Sequence, residues 1–405
     1  MKNREIIKKL YDKLSPDVKK MVDSAVDSIV SAKKKGGKVV VVTGSGPNLH
    51  EGVTTLIAEL ISKGIVDGVT TSSAVVAHEM AGVLDEVHRV DGVELGFDEK
   101  KLPRGNIFEI TKMSDELLEQ LEKEMILDHD LIERGLSAKG DVIIKAAGNM
   151  AYPMGLRSEN ISKEILYIAK LKGIPFEVVA GAGADEHTML GAAQRKNIPY
   201  LVSVPQLIGG GMVGIALADS ISIMERTTKI AEMMGGADVI IESAVALTQE
   251  IHDGPFETYT GHGVWADWDG YPTYSLADKT LIRIDLDSNL KKACDFEKAN
   301  STVQQAINKG LPKTKLMNIP FRMEMSGFAR LENSIPVIGD IGVIWPIMAY
   351  FIEQKLGIEL DFISYPQQTK EGKEMRKWIV ENIQPIVKEK LFSVSLHYSN
   401  ELTSI

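Results

Sequence analysis

The sequence predicts an α/β protein with a doubly wound, mainly parallel sheet of the Rossmann-like type. Short β-branched runs alternate with stretches of apolar residues at helical spacing, and glycines stand in the links between them. Strand–helix–strand units of this kind form right-handed crossovers and place helices on both faces of a parallel sheet. The chain has 405 residues, 44% of them apolar, which is enough for one large domain or two ordinary ones.

Runs of β-branched residues predict the strands, and residues at helical spacing predict the helices. The run at 38–43, with four consecutive valines, predicts a strand buried on both faces. An amphipathic helix follows over 53–61 and ends before Gly64. Near the N-terminus, Ser15 caps a helix that Pro16 opens. Further strands are predicted at 65–71, 141–147, 175–180, 200–204, 238–242, 281–285 and 359–364, and further helices at 160–172 and 222–234.

These elements suggest three parts without internal repeats. Residues 1–35 form an N-terminal helical segment, and residues 36–300 form a Rossmann-like nucleotide-binding domain. The strand signal weakens beyond residue 300, so 301–405 is predicted to be a mainly helical C-terminal extension packed on the sheet.

The charge balance and the single cysteine narrow the function classes. The chain has 46 Lys and Arg against 56 Asp and Glu, a net charge of -10, so we expect no nucleic-acid partner and no membrane partner. Its longest uncharged apolar run, at 341–352, is shorter than the roughly 20 residues of a membrane span and predicts a buried helix. Cys294 is the sole cysteine and the N-terminus has no signal-peptide pattern, so we expect a soluble, cytoplasmic protein.

The loop after the first predicted strand, 44–52, is the first candidate ligand site. Ligands of a parallel sheet bind beyond the carboxyl ends of its strands, and glycines and a helix N-terminus favour a pyrophosphate there. The sixth position of the dinucleotide fingerprint holds Leu49 instead of glycine, and no acidic residue closes the second strand. The loop therefore predicts a phosphate- or ribose-binding site of another design, with a plain tight turn as the alternative. Its candidate cofactor-binding residues are Gly44, Ser45, Gly46 and Asn48.

Two pairs of a histidine and a glutamate follow neighbouring strands. His50 and Glu51 open the first predicted helix of the sheet, while His78 and Glu79 lie in the helix after the second strand. Each pair alone is a common surface feature of helices, but together they would face one crevice. Imidazoles and carboxylates buried beside a cofactor can be tuned for proton transfer near neutral pH. We therefore predict His50 and Glu79 as catalytic acid–base residues.

The segment 180–193 is a second candidate loop. Gly181 and Gly183 predict a tight exit from a strand and are candidate cofactor-binding residues. Asp185 stands beside a glutamate and a histidine at a helix start, and it is the third candidate catalytic residue. It would bind a ribose or a substrate amine, or it would simply cap the helix. Three adjacent residues rarely point at one ion, so we expect no metal.

The segment 249–272 is a candidate lid or binding loop. It holds two of the four tryptophans and two of the eight histidines of the chain. Long ordered loops of this kind commonly close over ligands, although a packed structural loop and an oligomer contact are alternatives. The candidate substrate-binding residues are Asn149, which follows a predicted strand, and His252, His262, Trp265 and Asp267 of this segment.

Residues 38–79 resemble the start of the C-terminal domain named after lysine-oxoglutarate reductase/saccharopine dehydrogenase (LOR/SDH), which also occurs in archaeal ornithine cyclodeaminases. Weaker similarity continues at 174–186, 236–251 and 281–287, so that the resemblance spans roughly 36–290. The chain departs from the family in lacking a counterpart of its N-terminal substrate-side domain, in an insertion at 91–140, and in the added segment 301–405. The matching residues are Gly46-Pro47, His50, Gly52, Gly64, Val66-Asp67 and His78-Glu79.

The resemblance implies a deoxyhypusine synthase-like Rossmann domain that binds NAD through a loop without the usual third glycine. It also implies an enzyme that acts on a small amino acid or amine through an imine, as ornithine cyclodeaminase does. A fainter likeness to deoxyhypusine synthases implies aminobutyl transfer instead, for which Lys279 is a candidate imine-forming lysine. A non-catalytic NAD-binding or sensing protein is the third alternative. We further expect a small-molecule substrate and a homo-oligomer.

Overall fold

The computed structural model describes the chain except at 1–2, 45–46, 83, 147–150, 244–250, 252–253, 259–261, 310–317, 320–332 and 395–405. The strands in the described residues are β1 (Val39–Val42), β2 (Gly68–Thr71), β3 (Leu84–Asp91), β4 (Ile107–Thr111), β5 (Gly140–Ala146), β6 (Tyr200–Val202), β7 (Val239–Glu242), β8 (Thr280–Asp285) and β9 (Ser334–Ile338). The helices are α1 (Arg4–Asp12), α2 (Pro16–Lys34), α3 (Pro47–His50), α4 (Val53–Ser62), α5 (Ser73–Ala81), α6 (Asp115–Glu124), α7 (His129–Ser137), α8 (Met154–Lys172), α9 (Phe176–Gly183), α10 (Met189–Lys196), α11 (Met212–Ala218), α12 (Ile223–Gly235), α13 (His262–Trp268), α14 (Ser288–Ala299), α15 (Ser301–Asn308), α16 (Ile341–Leu356) and α17 (Lys370–Asn382).

Six of these strands form one parallel sheet, which confirms the predicted α/β fold class. Their spatial order within the described chain is β6-β2-β1-β7-β8-β9. Counted along the chain within this sheet, the order is 3-2-1-4-5-6, which is that of dinucleotide-binding Rossmann folds. The order reverses between β1 and β7, which pair in register with Val40 opposite Ile240. The carboxyl ends of these two strands therefore border the crevice in which such sheets bind ligands.

The four valines of β1 explain why helices cover both faces of the sheet. Val39 and Val41 belong to the larger hydrophobic core, with residues of α2 and α4. Val40 and Val42 point to the other face and pack with Ile230 of α12. Alternating side chains of a strand point to opposite faces, so an all-apolar strand requires a core on each side. The strand is buried on both faces, as its sequence predicts.

The predicted strand at 141–147 exists as β5, but it lies outside the parallel sheet. It pairs antiparallel with β3, which pairs antiparallel with β4 on its other side. The segment 91–140 thus contributes β4, α6 and α7 to a small three-stranded unit built from described residues. Gly140 is required at the start of β5, because a Cβ there would overlap the carbonyl oxygen of Arg89.

The prediction is wrong for two of the strands, which do not form. The segment 175–180 forms helix α9, since an apolar run of this length suits a buried helix as well as a strand. In the helix, Glu177 is buried and accepts a hydrogen bond from the backbone N–H of Val202 (2.8 Å). The segment 359–364 is irregular, and the N–H of Leu360 donates to the Glu353 carboxylate (2.9 Å) instead of to a strand.

The sixth strand of the parallel sheet comes instead from Ser334–Ile338, within the segment predicted to be a mainly helical extension. Pro336 obscures this strand in the sequence, because proline lacks the N–H of a sheet ladder. β9 is an edge strand, where proline is tolerated. The segment 301–405 therefore completes the sheet, and the division at residue 300 stays a prediction.

Several helices lie where the sequence places them. Ser15 caps α2 by accepting from the N–H of Val18 (3.4 Å), and α4 spans the predicted amphipathic stretch. The apolar run at 341–352 lies in α16, where Trp345 is buried. In the part of the chain that the structure describes, no helix is both long and apolar enough to cross a membrane.

Candidate functional site

The crevice between β1 and β7 is lined by buried polar side chains. Thr43 follows β1 and Ser243 follows β7, and the Ser243 Oγ lies 3.0 Å from the Thr43 Oγ1. Asn48 of α3 lies beside them, with its Oδ1 3.2 Å from the same Ser243 Oγ. Its Nδ2 donates to the carbonyl oxygens of Gly44 and Ser243, both at 3.4 Å. Asn48 therefore ties together the loops that leave the two strands.

This arrangement brings two of the predicted cofactor-binding residues, Gly44 and Asn48, to the expected crevice. The amide of Asn48 is occupied by protein groups, so Asn48 shapes the floor of the crevice. Ser45 and Gly46, the other two candidates in this loop, lie outside the described residues. Sequence inspection did not select Ser243, because the strand that precedes it is far away in the chain.

His50 lies at the end of α3, two residues after Asn48. The next helix begins after Gly52, which has a positive φ of 68°. His50 therefore does not open α4, as the sequence predicts, but ends the short helix before it. Burial and the positive charge of Arg376 lower the pKa of this half-buried imidazole. The catalytic role of His50 stays a prediction.

His78 of α5 is a second imidazole near His50, and it is half-buried. Burial, the charge of His50 and the charge of Lys145 lower the pKa of His78 to about 4. Its Nδ1 is buried and has no hydrogen-bond partner among the described residues. We call His50, His78, Lys145 and Arg376 the basic cluster. It lies where α3, α5, α17 and β5 meet, and no sequence pattern indicates that Lys145 and Arg376 belong to it.

Arg376 extends from α17 into the basic cluster and forms few hydrogen bonds. Its Nη1 donates to the side-chain oxygen of Gln367 (3.3 Å), and its Nε is buried without a partner in the described chain. Gln367 is held by Glu51, which accepts from its backbone N–H (3.0 Å) and from its Nε2 (2.7 Å). Burial raises the pKa of the Glu51 carboxyl, although these hydrogen bonds act in the opposite direction.

Lys145 reaches the basic cluster from the small sheet. It forms an ion pair with Glu109 of β4, which also accepts from Arg89 of β3 (2.8 Å). Burial alone would raise the pKa of Glu109, but its hydrogen bonds and ion pairs with Lys145 and Arg89 lower it. Glu109 is thus an ionised carboxylate shared by two cations, and Lys145 is positioned to act on His78.

Glu79, a predicted catalytic residue, lies away from the crevice in the interior. Its carboxylate accepts from the N–H groups of Met189 (2.9 Å) and Leu190 (3.0 Å) at the start of α10, and from the Tyr200 hydroxyl (3.2 Å). Burial raises the pKa of Glu79 to about 7, although these hydrogen bonds lower it. Both oxygens are engaged with the protein, so we do not include Glu79 in the proposed site.

Asp185, Gly181 and Gly183 also have structural contacts. Asp185 accepts from the backbone and ring of His187 (2.9 and 2.8 Å) and from the N–H of Gln384 (3.1 Å). Burial would raise the pKa of Asp185, but these hydrogen bonds lower it, which makes Asp185 a weak base. A Cβ at Gly181 would lie 2.9 Å from the Leu190 carbonyl oxygen, and one at Gly183 2.7 Å from that of Val387. Protein atoms thus lie close beside both glycines, and their role in binding the cofactor stays a prediction.

The predicted substrate-binding residues are only partly described. Asn149 and His252 lie outside the described residues, and for His262 only the backbone is described, in α13. Trp265 and Asp267 are exposed on the same helix, where the Trp265 ring contacts that of Trp268 edge-on at 4.7 Å. The predicted lid movement of this segment stays a prediction.

Lys279, the candidate lysine for aminobutyl transfer, is buried at the other end of the sheet. Its Nζ donates to the carbonyl oxygens of Gly235 (3.0 Å) and Ala237 (2.9 Å), at the end of α12. These residues precede β7, so Lys279 lies at the amino end of the strands, opposite the crevice. Across the described residues, no group of three or more His, Cys, Asp and Glu is arranged to hold a metal ion.

The fold and the crevice define the class of this protein as a doubly wound α/β protein with the strand order of dinucleotide-binding domains. No protein-family model and no curated protein matches the chain.

Several solved structures are similar to it. AgrE in ternary complex with ornithine and NAD+ is 13% identical with a TM-score of 0.39, and the match covers 84% of this chain and 34% of AgrE. A LOR/SDH protein from Methanococcus maripaludis S2 is 13% identical with a TM-score of 0.40, with 85% and 71% covered. A deoxyhypusine synthase from Entamoeba histolytica is 9% identical with a TM-score of 0.40, with 88% and 93% covered.

The chain spans about a third of the length of AgrE and of the arginine dihydrolase ArgZ from the ornithine–ammonia cycle in cyanobacteria. None of these similarities is close enough to transfer an activity to this chain.

Proposed function

We propose that this chain is an NAD-dependent enzyme that oxidises a small amino acid or amine at the carbon that bears the nitrogen. The observation that carries the proposal is the position of α3, a single turn of helix. It bears Asn48 at the switch-point crevice and, two residues on, His50 in the basic cluster. A nucleotide-type crevice and a neutral imidazole are thus neighbours.

The crevice residues suit a dinucleotide. The strand order reverses between β1 and β7, where Rossmann sheets hold the pyrophosphate, and Thr43, Gly44 and Ser243 border that point. The Thr43 and Ser243 hydroxyls are buried and bond to each other and to Asn48, so they shape the floor of the crevice as Asn48 does. A bound nicotinamide would supply the acceptor for a hydride from the substrate.

His50 would supply the proton transfer. When a C–H bond beside an amine loses hydride, the nitrogen lone pair forms the C=N bond and the nitrogen releases a proton. A neutral imidazole accepts such a proton, and burial together with Arg376 keeps His50 neutral. Water then adds to the imine carbon to release ammonia, or a second amine of the substrate adds to it and closes a ring.

The contacts of Lys279 give no support to aminobutyl transfer, because its Nζ is engaged with two backbone carbonyls far from the crevice. The non-catalytic alternative predicts saturable NAD binding without turnover. The two remaining functions therefore differ in whether bound NAD is reduced by any substrate.

Calorimetry with NAD and the full-length chain tests the cofactor, and absorbance of NADH with a panel of L-amino acids and primary amines tests the reaction. We expect NAD binding that Asn48→Ala weakens, and NADH formation with at least one member of the panel. The surface substitution Asn382→Ala is the control for loss of an asparagine. Absence of NAD binding would overturn the proposal, and binding without reduction by any substrate would support the sensing alternative.

A further inference from the structure

We infer that the substrate is an α-amino acid whose carboxylate binds Arg376 and whose side chain lies in the cavity between the small sheet and α17. This inference rests on the proposed function and names its substrate class.

The first argument is the incomplete partnership of Arg376. A guanidinium has five N–H donors in a plane, and a carboxylate accepts two of them side by side. In the structure, Arg376 donates to Gln367 (3.3 Å), its Nε is buried without a partner among the described residues, and Glu51 is near enough to interact with its charge without forming an ion pair. A buried donor of a cation that lacks a partner is costly unless a ligand satisfies it.

The second argument is rigidity. Two hydrogen bonds from Gln367 to Glu51 fix the amide whose oxygen accepts from Arg376. Met375, the neighbour of Arg376, packs on Gly52, where a Cβ would lie 2.8 Å from its Sδ. The acceptor of Arg376 and the adjacent turn of α17 are therefore held in place before a ligand arrives, and this lowers the entropy cost of binding.

The third argument is the local charge. The described side chains around the basic cluster and the cavity carry both signs. The cations are Arg89, Lys112, Lys145 and Arg376, and the carboxylates are Glu51, Glu86, Glu109 and Asp340. Glu109 pairs with Arg89 and Lys145, whereas Arg376 lies near Glu51 without forming an ion pair with a described carboxylate. This guanidinium favours an anionic group on the ligand.

The fourth argument is a cavity of about 280 Å³, which is lined by residues of α17 and of the small sheet and begins one helical turn beyond the basic cluster. Gly82 follows His78 by about one helical turn, and Val380 follows Arg376 by the same spacing, about 6 Å along the axis. A ligand bound through Arg376 can therefore extend into this cavity. Its walls combine apolar residues, among them Met113, Leu117, Met154, Val380 and Ile383, with the polar side chains of Glu86, Thr111, Lys112 and Gln384.

The cavity limits the side chain of the substrate. Its volume is just below the range of pockets for drug-sized ligands, so it suits a small metabolite. The apolar walls favour a side chain with an apolar body, such as that of leucine. The Thr111 Oγ1 is buried without a partner in the described chain, and Thr111 also lines the cavity.

The test compares L-leucine with isopentylamine, the amine that leucine becomes without its carboxylate, by calorimetry on NAD-saturated protein. Arg376→Gln should weaken leucine binding by about 10- to 100-fold, the effect of losing hydrogen bonds to a charged group, and leave amine binding unchanged. Lys373→Gln removes the same charge from an exposed position of α17 and should change neither. Arg376→Lys keeps the charge without the planar fork and should give an intermediate loss.

A second variant tests the cavity. Leu117→Trp fills it with a larger ring and should abolish leucine binding while leaving that of L-alanine within a few-fold. The inference is overturned if Arg376→Gln binds leucine normally, if it weakens leucine and the amine equally in a folded protein, or if Leu117→Trp weakens alanine as strongly as leucine.

Failure of the proposed function has a different signature. If NAD does not bind, leucine binding is measured on the NAD-free protein, and its loss in Arg376→Gln still supports the carboxylate site. If NAD binds and the amine is oxidised at the same rate as the amino acid, the result supports the proposed function and contradicts a carboxylate site at Arg376.

Discussion

Asn48 and Ser243 exchange two contacts across the point where the strand order of the sheet reverses. The Oδ1 of Asn48 lies 3.2 Å from the Ser243 Oγ, and its Nδ2 donates to the Ser243 carbonyl oxygen at 3.4 Å. The first residue follows β1 and the second follows β7, so this pair fixes the width of the proposed cofactor crevice.

Replacement of Asn48 by alanine should therefore loosen the crevice. The variant removes the donor to the buried carbonyl oxygens of Gly44 and Ser243 and one of the two contacts of the Ser243 hydroxyl, which costs about 1–3 kcal/mol of the free energy of unfolding. NAD affinity should fall roughly tenfold, which corresponds to about 1.4 kcal/mol. Urea denaturation and calorimetry measure the two effects. An Asn48→Ala protein with normal stability and normal NAD affinity would contradict the role assigned to this pair.

Gly52 is a second position with a definite expectation. Its φ of 68° strains any other residue, and a Cβ would lie 2.8 Å from the Met375 Sδ. Gly36 is the control, because its φ is 77° and a Cβ there would meet nothing within 4 Å. Gly36→Ala therefore measures the backbone strain alone, which we expect to cost about 1 kcal/mol of the free energy of unfolding. Gly52→Ala should cost about 1–3 kcal/mol more in urea denaturation, because the contact with α17 must shift. Equal losses in the two variants would show that Met375 adapts freely.

The carboxyl of Glu79 should make stability depend on pH. Burial raises its pKa in the folded protein to about 7, from an ordinary value of 4.5. Between these values the folded state binds more protons than the unfolded state, so the contribution of Glu79 to stability falls as pH rises from 4.5 to 7. Between pH 4.5 and 7, the free energy of unfolding of the wild type should fall by on the order of 3 kcal/mol relative to that of Glu79→Gln. The exposed Glu119→Gln is the control, and a pH-independent difference would refute the assignment.

The imidazole of His78 should change stability with pH in the direction opposite to that of Glu79. Its pKa is lowered to about 4, so between pH 4 and 6.5 the unfolded state binds more protons. The contribution of His78 is therefore present above pH 6.5 and is lost as pH falls toward 4. Because it opposes the contribution of Glu79, only the difference between wild type and His78→Gln reveals it. By NMR, Lys145→Met should raise the pKa of His78, since it removes a nearby positive charge; an unchanged value would contradict their proximity.

His50 carries the catalytic prediction. His50→Gln should lower turnover by about two to four orders of magnitude, the usual effect of losing a general base, while NAD affinity survives. If His50 has only a structural role, the melting temperature should fall and turnover should stay within a few-fold. The exposed His129→Gln controls for loss of an imidazole. Normal turnover in a folded His50→Gln protein would end the catalytic assignment.

The sequence by itself determined the fold class and the place of the crevice. The four valines of β1 require a core on each face, and the glycine-bearing loop after them predicts a ligand site beyond the strand. These are local patterns, and local patterns survive folding because side-chain periodicity is set by the backbone. These local patterns are sufficient to select Gly44, Asn48 and His50 as candidate residues of the loop after β1.

Only the tertiary structure decided what these residues face. The apolar run at 175–180 is compatible with a strand and a helix, and long-range packing selects the helix. Glu79 is in a helix, as predicted, but its contacts with α10 remove it from the site. Arg376 and Lys145 join His50 and His78 although they are distant in the chain, because α17 and β5 fold onto α3 and α5. No spacing in the sequence encodes such a meeting, since it depends on how whole elements pack and not on the residues between them.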